Sequence, residues 1–280
     1  MYNRSYLSDF FTRCANARKS ESTVYNYRIA LEHFFGSEGE LNLSPGHIEC
    51  KLSELQHLSA NSLRLKLSAL AEFLKFVHRK QVVENYEELL DICRSVKAEH
   101  KETKVVSDEE IEILMESCSN IKDKCIIKLL YCTGVRVSEL VNLKVSDVID
   151  GSIHIRISEG VRIKNNQERI IPLPKCAQEI LQKYMDTFCP TDALFVGTTG
   201  KPVTKNSVQQ MFLRLSKSTG IQVNAHMFRH KFINRLLVSG VDLKTIQSLT
   251  GQSSQTMVLY YASTSDELKK DAVSVFDDDL

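Results

Sequence analysis

The chain lacks any apolar run approaching the ~18 residues that a membrane-spanning helix requires. Its first stretch, MYNRSYLSDFFTRCANARKS, is broken by Arg4, Asp9 and Arg13, so the uninterrupted apolar segment of a secretory signal is missing too. A cytoplasmic protein with no membrane partner is the expectation. Cysteine is not scarce, but its arrangements are: Cys14, Cys50, Cys93, Cys118, Cys125, Cys132, Cys176 and Cys189 include no C-x-x-C pair, and none lies near paired histidines at zinc-finger spacing. Free thiols filling small core gaps are expected, with no disulfide and no structural metal. Internal repeats and low-complexity tracts are absent, as is a G-x-x-x-x-G-K-[ST] phosphate loop. What remains, 42% hydrophobic and 25% charged residues over 280 positions, is the balance of a folded chain of one large domain or two ordinary ones.

Net charge is also lacking, at +1, until it is divided along the chain. Residues 201–244 carry eight basic side chains against Asp242, a balance of +7, whereas residues 266–280 carry six acids against Lys269 and Lys270, a balance of −4. A basic segment of this kind suits a polyanion or a solvated helical face, and charge alone does not choose between them.

Helical spacing dominates the first hundred residues. Ser22 is placed to cap TVYNYRIALEHFFG, where Tyr27, Leu31, Phe34 and Phe35 recur on one face and Gly36 ends the helix. Asn61 opens NSLRLKLSALAEFLKFVHRK, with Leu63, Leu67, Leu70, Leu74 and Val77 on one face, and a short helix over about Glu87–Val96 follows. Together these predict a small bundle over 1–96. The charged, aperiodic stretch 97–106 reads as a linker. Ser107 with Glu110 three residues on forms a capping box, the start of a second domain. Within it come the helix IKDKCIIKLLYCTG, another helix beginning near Val137, and three β-rich pieces, SIHIRI, VRIK and ERIIPL, the last two separated by a turn at Asn165–Gln167. From Ala177 onward the pattern is mainly helical. The fold class expected is therefore mainly α: a helical N-terminal bundle, then a mostly helical domain with a small antiparallel sheet.

Three short segments hold chemistry-bearing residues, and each has an ordinary structural explanation when taken alone. Thr133-Gly134-Val135-Arg136-Val137-Ser138-Glu139-Leu140 puts Arg136 at a helix start, where its guanidinium and free backbone N–H groups suit a phosphate and Glu139 can reach back to hold it. An i, i+3 surface ion pair would look the same. His226 and Arg229 share a helical face, a pairing that suits an anionic transition state or merely a helix start. Tyr260 and Tyr261 follow Gly251-Gln252-Ser253-Ser254, and tyrosines there are commonly core or rim residues.

Read together and in order, these boxes resemble the tyrosine recombinase (phage integrase) family, and more closely its short Xer-like members. T-G-x-R-x-S-E-L is matched at 133–140, H-x-x-R-H at His226, Arg229 and His230, and the fourth box at Gly251–Ser254 with Tyr261 nine residues after Gln252. Lys164-Asn165-Asn166-Gln167-Glu168-Arg169-Ile170-Ile171-Pro172-Leu173 resembles the family's K-G-x-x-x-R-x-x-P-L hairpin. The resemblance implies a catalytic domain over 107–265 in which Tyr261 is the nucleophile. Arg136 and Arg229 clamp the phosphate, His226 and Gln252 donate to it, and Lys164 protonates the leaving oxygen. Glu139 orients Arg136, and His230 is structural. Gln252 replaces the usual His or Trp; an amide donates a hydrogen bond but cannot shuttle a proton. No cofactor and no metal is implied.

The same resemblance implies double-stranded DNA with inverted core half-sites as partner, a homotetramer on paired sites, and a nucleoid-associated location. The helical domain would supply Arg13, Arg18, Lys19, Arg64 and Lys66 to DNA, with the helix near Asn61–Lys80 in the groove, and the second domain would supply Lys201 and Lys205. The tail 266–280, with Leu268, Ala272, Val275 and Phe276 on one face, is expected to exchange between protomers. A bundle starting almost at Met1 suggests core-site binding without an arm-binding domain, as in a resolvase or transposon-borne recombinase. Two alternatives share parts of this pattern: a relaxase of the type IB topoisomerase kind, acting as a monomer, and a DNA-binding protein that has lost cleavage.

Overall fold

The computed structural model describes residues 2–97, 105–156, 168–197 and 199–251. The chain divides into two compact units, Met1–Glu102 and Thr103–Leu280.

The first unit contains α1 (Ser5–Asn16), α2 (Glu21–Phe35), α3 (Pro45–Glu54), α4 (Ala60–Arg79) and α5 (Tyr86–Arg94). The helix α2 is capped not by Ser22 but by Ser20, whose extended backbone lets its hydroxyl accept from the Thr23 N–H. Gly36, at φ 67, ends it. Ser59 caps α4 in the same way, so that helix starts at Ala60, one residue before the expected opening at Asn61. The apolar stripe Leu63, Leu67, Leu70, Leu74 and Val77 is buried, each side chain stabilising the unit by about 1.5–3 kcal/mol. It packs into a ring-rich core in which Phe73 meets Phe10 edge-on at 5.4 Å and Phe35 at 5.7 Å.

The second unit begins with α6 (Asp108–Glu116), closed by the Ser107–Glu110 capping box, followed by α7 (Ile121–Thr133) and the single turn α8 (Val137–Leu140). A three-stranded antiparallel sheet comes next, in the order β1 (Val148–Ile149), β2 (Ser152–Ile155), β3 (Arg169–Pro172). Its register pairs Ile149 with Ser152 and Ile155 with Arg169. The strand β1 is additional to the expected pieces. Asp150 and Gly151, at φ 48 and φ 69, form a tight turn between β1 and β2 in which both residues are left-handed, the backbone a two-residue hairpin needs. The expected strand VRIK and its turn lie outside the described residues. The unit closes with α9 (Lys175–Phe188), α10 (Lys205–Thr219), α11 (Ala225–Val238) and α12 (Leu243–Thr250).

Its core is aliphatic around α7, with Cys125, Ile126, Ile127, Leu129 and Leu130 all buried. Tyr184 is enclosed with its hydroxyl satisfied, donating to the Leu194 carbonyl and accepting from the Val196 N–H, both at 3.0 Å. All eight cysteines are free. Cys14, Cys118 and Cys125 fill core positions as expected, but Cys50, Cys176 and Cys189 are exposed: the first two fall on outward faces of α3 and of the helix over Lys175–Phe188, and Cys189 is the left-handed residue that ends that helix. Burial pushes the Cys93 and Cys125 thiols up to about 12, which keeps them protonated and unreactive. Among the described residues no helix is long and apolar enough to cross a membrane.

Candidate active site

The site forms where the ends of four helices and the edge strand of the sheet meet in the second unit. Helix α7 stops at Gly134 because that residue is left-handed, at φ 59, and a Cβ there would also collide with the Phe232 ring of α11. This close approach of α7 and α11 lets Arg229, one turn back along α11, donate Nη1 to the Gly134 carbonyl at 2.6 Å. Its Nη2 donates to the Thr250 carbonyl at 2.8 Å, at the end of α12. Arg229 is thus buried and holds two helix C-termini, whose partial negative charge favours a cation. It is more enclosed than a clamp presented openly to solvent.

Two residues beyond Gly134, Arg136 caps α8. The expected free N–H at this position is taken: it donates to Glu139 Oε2 at 2.8 Å, while Arg136 Nη1 donates to Glu139 Oε1 at 3.0 Å. Glu139 therefore holds Arg136 by backbone and side chain together. The guanidinium keeps part of its surface accessible, whereas the Glu139 carboxylate is only 1% exposed.

The carboxylate has a second cationic partner that sequence reasoning did not assign to the site. Arg169 donates Nη1 to Glu139 Oε1 at 3.2 Å and Nη2 to Oε2 at 2.7 Å, and its Nε donates to the Leu249 carbonyl at 2.7 Å. Burial opposes ionisation of Glu139, but the hydrogen bonds and charge of Arg169, with those of Arg136, outweigh it and hold the carboxyl below the usual range. The signal available in sequence was the alternation Arg169-Ile170-Ile171-Pro172, which turns an arginine to the buried face of a strand. A buried arginine requires partners for its charge and its donors, and here a carboxylate supplies them.

His226 opens α11, whose N-cap Asn224 accepts from the N–H groups of His226 and Met227. Desolvation, then the charges of Arg229 and Arg136, lower its pKa, so the imidazole is neutral at physiological pH and able to take up a proton. Desolvation, with His226 and Arg229 nearby, takes His230 down to about 4. That group is therefore neutral near pH 7. Lys164, Gln252 and Tyr261, as well as the tail 266–280, lie outside the described residues.

The DNA-binding candidates are distributed differently. Arg13 lies over the Phe76 ring at 5.6 Å, and Lys19 lies over Tyr27 at 5.3 Å with Glu72 3.9 Å away. Arg18 and Arg64 are exposed, and Lys66 approaches the His33 ring at 3.3 Å. In the basic segment, Arg214 pairs with Asp123 at 2.7 Å and Lys231 with Asp108 at 3.0 Å; Arg235 donates to the Tyr131 hydroxyl and lies 3.5 Å from Asp108. These pairs, together with buried Arg229, absorb half of the segment's positive charge. Lys201, Lys205, Lys217 and Lys244 are exposed and make no ion pair among the described residues.

Comparison with known proteins agrees with this architecture. Residues 104–267 match the model of the phage integrase family, a range that includes every candidate catalytic position from Arg136 to Tyr261. The chain is 30% identical to tyrosine recombinase XerC of Staphylococcus saprophyticus over 275 residues, covering 90% of each protein. It is 27% identical to tyrosine recombinase XerA of Pyrococcus horikoshii over 97% of this chain and 93% of that one. Among solved structures it resembles XerA recombinase (27% identity, TM-score 0.55, covering 97% and 98% of the two chains). It shares its fold with the Tn1549 transposon integrase in complex with a circular intermediate DNA (17% identity, TM-score 0.78, 96% and 98%). The chain belongs to the phage integrase family, the tyrosine recombinases. It is an enzyme of site-specific DNA recombination, and neither alternative weighed from the sequence is favoured.

Proposed function

We propose that the chain cleaves and rejoins DNA through a 3′-phosphotyrosyl intermediate, with Tyr261 as nucleophile. The phenolic oxygen attacks the scissile phosphorus, the P–O5′ bond breaks, and the phosphate becomes esterified to the protein. Because one phosphate ester replaces another, rejoining needs no external energy source. Phosphoryl transfer of this kind depends on positioning and on neutralising the non-bridging oxygens. Arg136 and Arg229 supply the positive charge, and Gln252 supplies an N–H donor. Neutral His226 accepts the phenol proton, and Lys164 protonates the departing 5′-oxygen, a transfer that an ammonium can make and a guanidinium cannot.

The observation that carries this reading is the bond from Arg229 to the Gly134 carbonyl, which anchors residue 229 to the backbone two residues before Arg136. It joins two of the boxes first seen as separate stretches of sequence. In the first unit, the outward face of α4 bearing Asn61, Arg64, Leu65 and Ser68 is exposed, which favours it for the DNA groove. The domains act accordingly as a core-site binding unit over 1–96, a linker over 97–106 and a catalytic unit over 107–265. The tail 266–280 docks on an adjacent protomer. Lambda integrase has been seen as a tetramer bound to a Holliday junction, and it shares this fold (21% identity, TM-score 0.74). A homotetramer on paired, inverted half-sites in the nucleoid is the corresponding assembly here.

The test uses a duplex captured covalently by the native chain from a random-sequence pool. A protein–DNA adduct through the 3′-phosphate, and strand exchange between two such sites by four protomers, are expected. Binding with no adduct, or relaxation of supercoils by a lone protomer without exchange, would contradict the proposal.

A further inference from the structure

We infer that Arg169 is a positioning residue for strand cleavage, fixing the Arg136 guanidinium through Glu139 while holding the end of α12 that leads into Gln252. The inference deepens the proposed reading of the site and rests on it. Strand alternation and pairing opposite Ile155 turn Arg169 inward, and its side chain is 5% exposed. A guanidinium so placed is tolerated only if its donors are satisfied, and its planar fork meets both oxygens of one carboxylate. That carboxylate also receives the Arg136 N–H and Nη1. Glu139 is therefore shared between two guanidinium groups, one buried and one facing the site. The fork of Arg169 sets the plane of the carboxylate, and the carboxylate sets the direction of Arg136.

The same guanidinium reaches a third element. Its Nε holds the Leu249 carbonyl, and a Cβ on Gly251 would stand 2.7 Å from its Nη1, so the group lies against the left-handed residue that ends α12. The next residue is Gln252. Arg169 is also the first residue of β3, five positions after Lys164. One side chain thus ties the start of β3 and the end of α12 to the carboxylate that holds Arg136, and a loss of precision there is expected to reach the chemistry without removing any group that touches DNA.

The test compares single-turnover covalent attachment at saturating DNA on two versions of the captured duplex. One carries the ordinary scissile phosphate; the other carries a methylphosphonate, which lacks the charge that Arg136 neutralises. Arg169→Lys keeps the charge but loses the fork. The expected result is unchanged DNA affinity, a ten- to hundredfold slower reaction on phosphate, and a loss of threefold or less on methylphosphonate. Gly251→Ala, which displaces the guanidinium without altering it, should give the same pattern and carries the test if Arg169→Lys does not fold. Equal losses on both duplexes, or full activity in both variants, would overturn the inference. Arg136→Ala is the control. If its own loss does not shrink on methylphosphonate, the reading of the site fails; if it shrinks and that of Arg169→Lys does not, only the positioning role fails.

Discussion

In the first unit several cations lie over aromatic rings, Arg13 and Lys80 on Phe76 and Lys19 on Tyr27, with Lys80 also 2.6 Å from Asp9. In the second unit Arg169 and Arg229 are enclosed, and their partners are a buried carboxylate and the carbonyls that end α7 and α12. The first arrangement leaves a charge hydrated and able to exchange one weak partner for a phosphate. The second fixes a charge in one geometry, because leaving its partners would strand it in a poorly solvated place. Substitutions of hydrated surface cations should therefore mainly alter affinity, and those of the enclosed cations and their partners should alter stability and chemistry.

The largest expected effect follows from removing the shared carboxylate. Glu139→Ala leaves Arg169 buried without its anion and should cost about 3–5 kcal/mol, seen as a lowered melting point of the second unit. By contrast, Lys19→Ala breaks a partly exposed pair with Glu72 and should cost no more than about 1 kcal/mol. Comparable losses from the two changes would remove the distinction between the units.

Acid should also act on the second unit. His230 titrates near 4 in the folded chain against 6.5 when unfolded, so between those values the unfolded chain binds a proton that the folded one does not. Stability is then highest above pH 6.5 and falls as pH is lowered toward 4. Thermal melts at pH 7 and pH 5 should differ, and His230→Gln should narrow the difference. Glu139, whose pKa is lowered, adds a loss at more acidic pH, as its carboxylate becomes protonated.

Much of this site was legible because its parts are local in sequence. Gly134, Arg136 and Glu139 lie within six residues, and a helix stop followed by a helix start dictates their arrangement. The stripe of α4 was equally plain, since five apolar residues at helical spacing admit few other folds. Arg169 was not assigned because its partners lie 30 and 80 residues away, and no local pattern announces them. The true cap of α2 was missed for a smaller reason: Ser20, Ser22 and Thr23 are all capable, and only backbone geometry selects Ser20. The strand β1 carried a usable signal in Asp150-Gly151, but two residues are too few for periodicity to mark a strand.

Intermediate effects are expected at Gln252. A donor to the transferring phosphate can be replaced by another donor, so Gln252→His should retain cleavage while Gln252→Ala slows it on the order of ten- to a hundredfold. An unchanged rate in the alanine variant would exclude Gln252 from the reaction. The smallest effects belong to the exposed cations. Arg64→Ala or Lys205→Ala should weaken DNA binding and reduce the slope of log affinity against log salt by about 1 for each phosphate no longer neutralised, with the cleavage rate at saturating DNA preserved. A slower reaction at saturation would move these residues from the affinity side of the comparison to the chemical side.

In the proposed reaction one tyrosine becomes joined to DNA, with Arg136, Arg229 and His226 acting on the phosphate and the phenol. Tyr260 and Tyr261 are adjacent in sequence, and the spacing of nine residues from Gln252 selects Tyr261 for that role. The most direct measurement is covalent attachment to the captured duplex by Tyr261→Phe and Tyr260→Phe, with affinity measured alongside. The account predicts that Tyr261→Phe binds normally and forms no adduct, while Tyr260→Phe forms it. An adduct that survives in Tyr261→Phe would contradict the account.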